Sequence, residues 1–167
     1  MNNEMNKKVN KILVAHNLDF RIEKEQLLSA TGKPTPFYGL FNDKTGECIN
    51  SVKEGYTVSQ NDEIVELVLE GMQGFGELSV SKAGSLNGGR KVFIQLGIDG
   101  MSLVGEERIK RYVTVIDSND GSTGLSVGIG ELVMSCQNQF FKFYKSGQSK
   151  LRHTASLTQR IKEIPML

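Results

Sequence analysis

The sequence predicts an α+β domain built on an antiparallel β-sheet, with one central amphipathic helix and a basic C-terminal helix. Three observations predict this class: segments that alternate apolar and polar residues, turn-forming Asn, Asp and Gly between them, and one stretch of helical periodicity. The 167 residues, 38% of them apolar, suffice for one domain with a core. We expect residues 1–17 to form a leader or short helix and residues 18–167 to form a single domain.

A strand and a β-hairpin are predicted first. Phe20 and Ile22 alternate with charged residues, which favours a strand near residues 19–28. The segments 37–41 and 47–52 flank Asn42-Asp43-Lys44-Thr45-Gly46, whose Asn/Asp start and Gly end are typical of a hairpin turn.

The central helix is predicted over residues 59–73. Ser59 is placed to act as the N-cap, with the carboxylate of Asp62 at the third helical position, and Gly74 is placed to end the helix. One apolar stripe runs along this segment, made of Ile64, Val65, Val68, Leu69 and Met72.

Four strands and a final helix are predicted in the second half. Leu78 and Val80 alternate with polar residues, and Asn87-Gly88-Gly89 forms a hairpin turn into a strand over 90–98. A further pair of strands is predicted over 110–116 and 124–134, and the tail 150–164 is predicted as a basic helix.

Charge is distributed unevenly along a chain whose net charge is only +1. Residues 34–81 carry two Lys against eight acidic residues, a net −6, whereas residues 142–167 carry six Lys or Arg against one Glu, a net +5. This distribution fits an anion-binding surface, and equally a charge match within the chain or head to tail between copies.

Several function classes are not supported by the sequence. Cys48 and Cys136 are too few for a disulfide framework or a four-ligand zinc site, and they indicate thiols in a reducing cytosol. The N-terminus lacks a secretory h-region and no apolar run is long enough to span a bilayer, so we expect a cytoplasmic protein, in the host cell if phage-encoded, with no membrane partner. A P-loop and a dinucleotide fingerprint are lacking, and no cofactor is expected.

Residues 117–121 contain two Asp and one Asn, side chains that can bind a metal ion. They resemble a calcium loop only superficially, because Gly121 is at position five and position twelve is Gly128. A turn rich in Asp, Asn and Gly explains the segment. A metal-dependent nuclease using Asp117, Asp120 and Glu131 stays an alternative, although the sequence identifies no catalytic residue and no metal ligand.

Cations and aromatic rings are interleaved on two neighbouring predicted strands. If Val92 and Ile94 face the core, Lys91 and Phe93 share the opposite face, and Lys110 and Tyr112 do so on the next strand. Such a face suits single-stranded nucleic acid, since cations neutralise phosphates and each ring can stack a base. The alternative, which the pattern alone favours, is that a helix covers this face and that the rings belong to the core. A second basic group, Lys142, Lys145, Lys150, Arg152 and His153, adjoins the aromatic residues 140–144.

Six short segments occur in a characteristic order: Asn42–Glu47, Tyr56–Asn61, Gly84–Val92, Asn119–Ser122, Cys136–Asn138 and Arg152–Thr154. Together they resemble the phage/plasmid-like protein family (domain of unknown function 932), over about residues 18–160. The sequence departs from the family pattern at Asn119, where His is expected, and at Gln139, where Thr is common. The resemblance implies a phage- or plasmid-borne protein encoded near replication and recombination genes. The fold pattern is also loosely similar to phage single-strand annealing proteins, which hold one strand by its backbone in a ring or filament without a cofactor.

We therefore expect a non-enzymatic, homo-oligomeric protein that binds single-stranded DNA in phage replication or recombination. The expected contacts are Lys91, Phe93, Lys110, Arg111, Tyr112, Lys142, Lys145, Lys150, Arg152 and His153. The alternatives are a protein-interaction or anti-defence factor, whose basic tail binds an acidic partner or the chain's own acidic block, and the nuclease.

Overall fold

The computed structural model describes residues 3–71, 78–98, 103–104, 107–108, 111–130 and 149–151. Its two helices are α1 (Asn3–Ala15) and α2 (Asn61–Gly71). Its strands are β1 (Ile22–Leu28), β2 (Pro34–Asn42), β3 (Cys48–Lys53), β4 (Leu78–Leu86), β5 (Lys91–Ile98), β6 (Leu103–Val104), β7 (Glu107–Arg108), β8 (Arg111–Ser118), β9 (Leu125–Gly130) and β10 (Ser149–Leu151). The predicted α+β class is confirmed.

The first sheet has three antiparallel strands in the order β1-β2-β3. The predicted turn between β2 and β3 is present, because the Gly46 N–H donates to the carbonyl of Asn42 at 2.8 Å. The Asn42 side chain supports the turn by accepting from the N–H groups of Lys44 and Thr45, at 3.0 and 3.3 Å. Gly46 has a φ of 68°, which explains why Gly stands at this position.

Helix α2 begins at Asn61, two residues after the start of the predicted range 59–73, and its N-cap is one residue later than predicted. The first helical bond runs from the Ile64 N–H to the carbonyl of Gln60, and Glu63 Oε2 accepts from the Gln60 N–H at 3.1 Å. Gln60 is therefore the N-cap, and Glu63 closes the capping box. The expected cap, Ser59, instead donates its hydroxyl to Asp117. Ser59 therefore bonds to a side chain that is distant in the sequence and does not cap the helix.

The second sheet has five antiparallel strands in the order β10-β9-β8-β5-β4. The Asn87-Gly88-Gly89 turn joins β4 to β5 with positive φ at all three residues, which confirms the predicted hairpin. Ser149–Leu151 pair with β9, so the prediction of a helix from residue 150 is wrong for residues 150 and 151. The remainder of that predicted helix lies outside the described residues. A separate two-stranded ladder joins β6 to β7.

Both helices and both large sheets contribute to one apolar core. Helix α1, predicted as a leader or short helix, packs on α2 and buries Val9 and Leu13. The most deeply buried side chains of this core are Leu18, Leu40, Ile64, Val65, Ile94, Leu96, Val115 and Leu125. On the opposite face of the second sheet, a smaller cluster joins Phe93 and Ile116, with Leu86 packed against them. Side chains on both faces of the central strands β5 and β8 are therefore buried, which limits the side chains of these strands that a ligand could contact.

Within the described part of the chain, neither helix has the length and apolarity that crossing a membrane requires.

Candidate functional site

The predicted stacking face on β5 and β8 is buried. Phe93 is 9% exposed and Tyr112 is 7% exposed. Between them, Gln95 Nε2 donates to Thr114 Oγ1 at 2.9 Å, and both of these polar residues are buried. Polar side chains that satisfy each other beneath a covered face are interior groups. The expectation that both rings are open for base stacking is wrong. The alternative is confirmed in that both rings are buried, although the described residues that pack with Phe93 are Ile116 and Leu86, on strands of the same sheet, and not a helix.

Lys91, the first residue of β5, is not a surface cation either. It is 4% exposed, and its Nζ lies 3.9 Å from Oδ2 of Asp120 in the turn between β8 and β9. A buried ammonium beside a carboxylate contributes to internal electrostatics and cannot reach a phosphate backbone in this conformation. The expectation that Lys91 contacts nucleic acid is therefore not compatible with its burial.

The remaining predicted contacts are placed only in part. Arg111 opens β8 and pairs in register with Ile98, and Lys150 lies in β10 opposite Ser126 of β9. These two positions are at different places in the second sheet, separated by the width of β9 and by several residues along the strands. Five further residues lie outside the described part of the chain: Lys110, Lys142, Lys145, Arg152 and His153.

The structure does bring together a polar cluster that the sequence did not predict. We call it the polar junction; its members are Tyr56, Ser59, Lys91, Asp117, Asn119 and Asp120. They come from the loop before α2, the start of β5 and the turn after β8. Three of the family-like segments, 56–61, 84–92 and 119–122, therefore meet at one place.

Ser59 and Asp117 form the innermost contact of the polar junction. The Ser59 hydroxyl donates to Oδ2 of Asp117, and each residue is only 1% exposed. A buried carboxylate needs such donors because burial otherwise disfavours its charge. This bond links the loop before α2 to the end of β8, two segments 58 residues apart.

Tyr56 closes the polar junction from one side. Its hydroxyl lies 3.4 Å from both the carbonyl of Ser118 and Oδ1 of Asn119, and it donates toward them. Burial raises the pKa of Tyr56, and the negative charges of Asp117 and Asp120 raise this pKa further. Tyr56 is thus held protonated, as a hydrogen-bond donor.

The turn after β8 is organised by its own polar groups. Asp120 Oδ1 accepts from the Ser122 N–H at 2.9 Å, which is an Asx turn. The Ser118 hydroxyl donates to the Thr123 carbonyl and accepts from the Thr123 N–H, at 2.7 and 3.0 Å. The Asn119 N–H donates to the carbonyl of Arg90 at 2.9 Å, which ties the turn to the hairpin before β5. The interpretation of this segment as a turn is confirmed for residues 119–121, whereas Asp117 and Ser118 are the last residues of β8.

This chemistry suits a structural connection more than a reaction centre. Asp117 is engaged by Ser59, and Asp120 is engaged by Lys91 and by the Ser122 N–H. Among the residues that the structure describes, no three His, Cys, Asp or Glu side chains are grouped as a metal site would require. Glu131, the third carboxylate of the nuclease hypothesis, lies outside those residues.

Comparison with known proteins gives one family. The model of the family described as Domain of unknown function (DUF932) matches residues 48–166, which are 119 of the 167 residues. All members of the polar junction lie within the matched range. No curated protein and no solved structure gives a significant match to the chain.

Proposed function

Because the chain belongs to the family Domain of unknown function (DUF932), we propose its function from its own charges and surfaces. It is a non-enzymatic, cytoplasmic protein that binds single-stranded DNA in phage or plasmid replication or recombination. Its contacts are made with backbone phosphates, through cations of the basic segment 142–167.

The observation that carries this proposal is the position of the basic segment. Its net charge is +5, from six Lys or Arg against one Glu. Ser149–Leu151 of this segment form β10 on the second sheet, so Lys150 lies on a strand of the folded domain. A cation on a folded strand loses less conformational entropy on binding than one on a flexible tail.

The proposed mode of binding takes account of the burial of the two rings. Since Phe93 and Tyr112 are buried, stacking of bases on them is not part of the proposal. Contacts to phosphates alone are independent of sequence, and they leave the base edges open for pairing. Lys7, Lys8 and Lys11 are also exposed, on α1.

The test is the salt dependence of binding to a fluorescent single-stranded oligonucleotide, measured by anisotropy. We expect affinity to fall steeply with salt, and the variant Lys150→Ala with Arg152→Ala to bind several-fold more weakly to all sequences. Losing two phosphate contacts should reduce the slope of log affinity against log salt by about 1.4. The matched control, Lys33→Ala with Lys44→Ala, removes the same charge from exposed loops of the first sheet. Binding that ignores salt, or no binding near ~0.15 M salt, would overturn the proposal.

The acidic side of α2 favours a second candidate function. Asp62, Glu63, Glu66 and Glu70 all lie on this helix, within the acidic block 34–81. The basic segment of the chain then pairs with this acidic block, or with an acidic protein partner, and the protein acts by protein interaction. Purified protein whose ultraviolet absorbance ratio shows no nucleic acid, and which binds an acidic protein but no oligonucleotide, would select this candidate.

A further inference from the structure

One face of the first sheet is turned away from the core. The register aligns Glu23 with Phe41, Glu25 with Gly39, and Phe37 with Lys53. The alternate positions, which include Ile22, Leu40 and Val52, are buried in the core. We call the outward side the outer face; its members used here are Glu23, Glu25, Leu27, Phe37, Phe41 and Lys53.

The centre of the outer face is apolar. The ring of Phe41 lies over Gly39, where a Cβ would be 2.8 Å from its Cζ, and Leu27 Cδ2 would be 3.0 Å from the same Cβ. Gly39 thus leaves room for the ring to lie flat against the sheet beside Leu27. Phe37 is 45% exposed on the same face. Leu27 and Phe41 are half-buried beside it, and an exposed ring that adjoins other apolar side chains is the kind of surface at which interaction sites occur.

The two edges of the outer face carry opposite charges. Exposed Glu23 and Glu25 lie on β1, at one edge of the sheet, and exposed Lys53 lies on β3, at the other edge. If a second copy packs face to face about a two-fold axis parallel to the strands, the β1 edge of each copy lies over the β3 edge of the other. Lys53 is level with Phe37 along the strands, two register positions from Glu25 and four from Glu23. Glu25 of each copy therefore lies diagonally across from Lys53 of the other copy, and the apolar centres meet each other.

We propose that the outer face is the interface of a two-fold symmetric homodimer. The charge arrangement specifies a second copy of this chain, because the face is complementary to itself only in that orientation. Two sheets packed in this way lie about 10 Å apart with their strands roughly aligned. Phe37 and Phe41 supply the aromatic anchors that dominate such interfaces. This proposal does not depend on DNA binding.

The first test is the mass in solution, measured by light scattering after size exclusion. The wild type is expected at twice the chain mass of 18.5 kDa, and Phe37→Asp at the chain mass. Val14→Asp is the matched control, because Val14 is 56% exposed on α1 and lies off the outer face. Circular dichroism shows whether each variant is folded. A monomeric wild type, or a dimer that Phe37→Asp leaves intact, would overturn the proposal.

A charge-reversal series tests the orientation. Lys53→Glu places a glutamate diagonally across from Glu25 of the other copy and should weaken the dimer at least tenfold. Adding Glu25→Lys to Lys53→Glu restores opposite charges and should recover most of that loss. An unrescued double variant would contradict the two-fold arrangement, as would a dimer indifferent to both changes. Anisotropy with the oligonucleotide, run on folded Phe37→Asp, separates failure of dimerisation from failure of DNA binding.

Discussion

The side chain of Gln60 forms two hydrogen bonds with the main chain of Ile22. Its Nε2 donates to the Ile22 carbonyl at 2.9 Å, and its Oε1 accepts from the Ile22 N–H at 3.0 Å. This amide pairs with the beginning of β1 as a neighbouring strand would. The next residue, Asn61, donates from Nδ2 to the carbonyls of Leu18 and Phe20, at 2.9 and 3.2 Å. The start of α2 therefore fixes the path of the chain that enters the first sheet.

Replacing Gln60 should destabilise the fold. Gln60→Ala leaves the N–H and carbonyl of Ile22, a residue only 3% exposed, without these partners. We expect the free energy of unfolding to fall by about 1–3 kcal/mol. Gln60→Glu keeps the acceptor for the Ile22 N–H but sets a carboxylate oxygen against the Ile22 carbonyl, so it should also destabilise the fold. Urea denaturation measures both. Gln26→Ala is the control, since that exposed amide donates to a single carbonyl; equal effects at positions 26 and 60 would contradict the role of Gln60.

Two glycines with positive φ should respond differently to alanine. Gly46 and Gly89 have φ of 68° and 96°. A Cβ at Gly46 has no heavy atom within 4 Å, whereas at Gly89 it lies 2.9 Å from Phe20 Cζ and 3.1 Å from Asn42 Nδ2. Gly46→Ala should therefore lose about 1–2 kcal/mol of stability from backbone strain alone. Gly89→Ala should lose a further ~1–3 kcal/mol from crowding. Thermal or urea unfolding that gives equal losses would contradict the crowding argument.

Local patterns predicted most strands and turns correctly because each of these elements depends on residues that are close together in the sequence. The alternation in residues 90–98 predicts β5, and Asn87-Gly88-Gly89 predicts its hairpin, as the structure confirms. The N-cap was missed by one residue because Ser59 has a distant partner, Asp117, that no local rule contains. The short strand β10 was missed for the same reason: its pairing partner, β9, lies about 20 residues earlier in the chain.

The candidate site was harder to predict than the fold. Alternation shows that Phe93 and Val92 point to opposite faces of the sheet. It does not show that both faces are buried, as they are in the structure. The cations and rings on this face suggested a nucleic-acid surface, yet Gln95 beside Phe93 has its partner, Thr114, within the sheet. The polar junction gave no local signal, because Tyr56 and Asn119 are 63 residues apart. The family-like segments contain five of its six residues, and Asp117 lies outside them.

Stability should fall in alkaline solution because of Tyr56. Its pKa in the folded protein is raised above the ordinary value of 10.0 by burial and by the charges of Asp117 and Asp120. Above about pH 10 the unfolded chain loses this proton while the folded chain keeps it, so the unfolded state binds fewer protons. The contribution is complete below pH 10 and is lost as pH rises further.

Tyr56→Phe isolates this contribution. Between pH 9 and about 11, the wild type should lose stability more steeply than the variant, by up to about 1.4 kcal/mol per pH unit for one proton. Urea denaturation at several pH values measures the difference in slope. Parallel curves for the two proteins would contradict the raised pKa, whatever the absolute stability of the variant.

Substitution of Lys91 distinguishes two roles for this residue: the buried ion pair with Asp120 and the DNA contact that the sequence predicts. Lys91→Met keeps the aliphatic length, removes the charge 3.9 Å from Asp120, and should lower the free energy of unfolding by about 1–3 kcal/mol. In folded protein, it should leave the salt dependence of oligonucleotide binding unchanged, because Lys91 is buried. A phosphate contact would instead reduce the slope of log affinity against log salt by about 0.7.

Asp120→Asn is the matched variant, since it removes the other charge of the pair and still offers an acceptor to the Ser122 N–H. If both variants lose stability and the salt slope is unchanged, the pair stabilises the polar junction and does not contact DNA. If the slope is reduced in Lys91→Met alone, Lys91 contacts a phosphate and the buried-pair role is wrong.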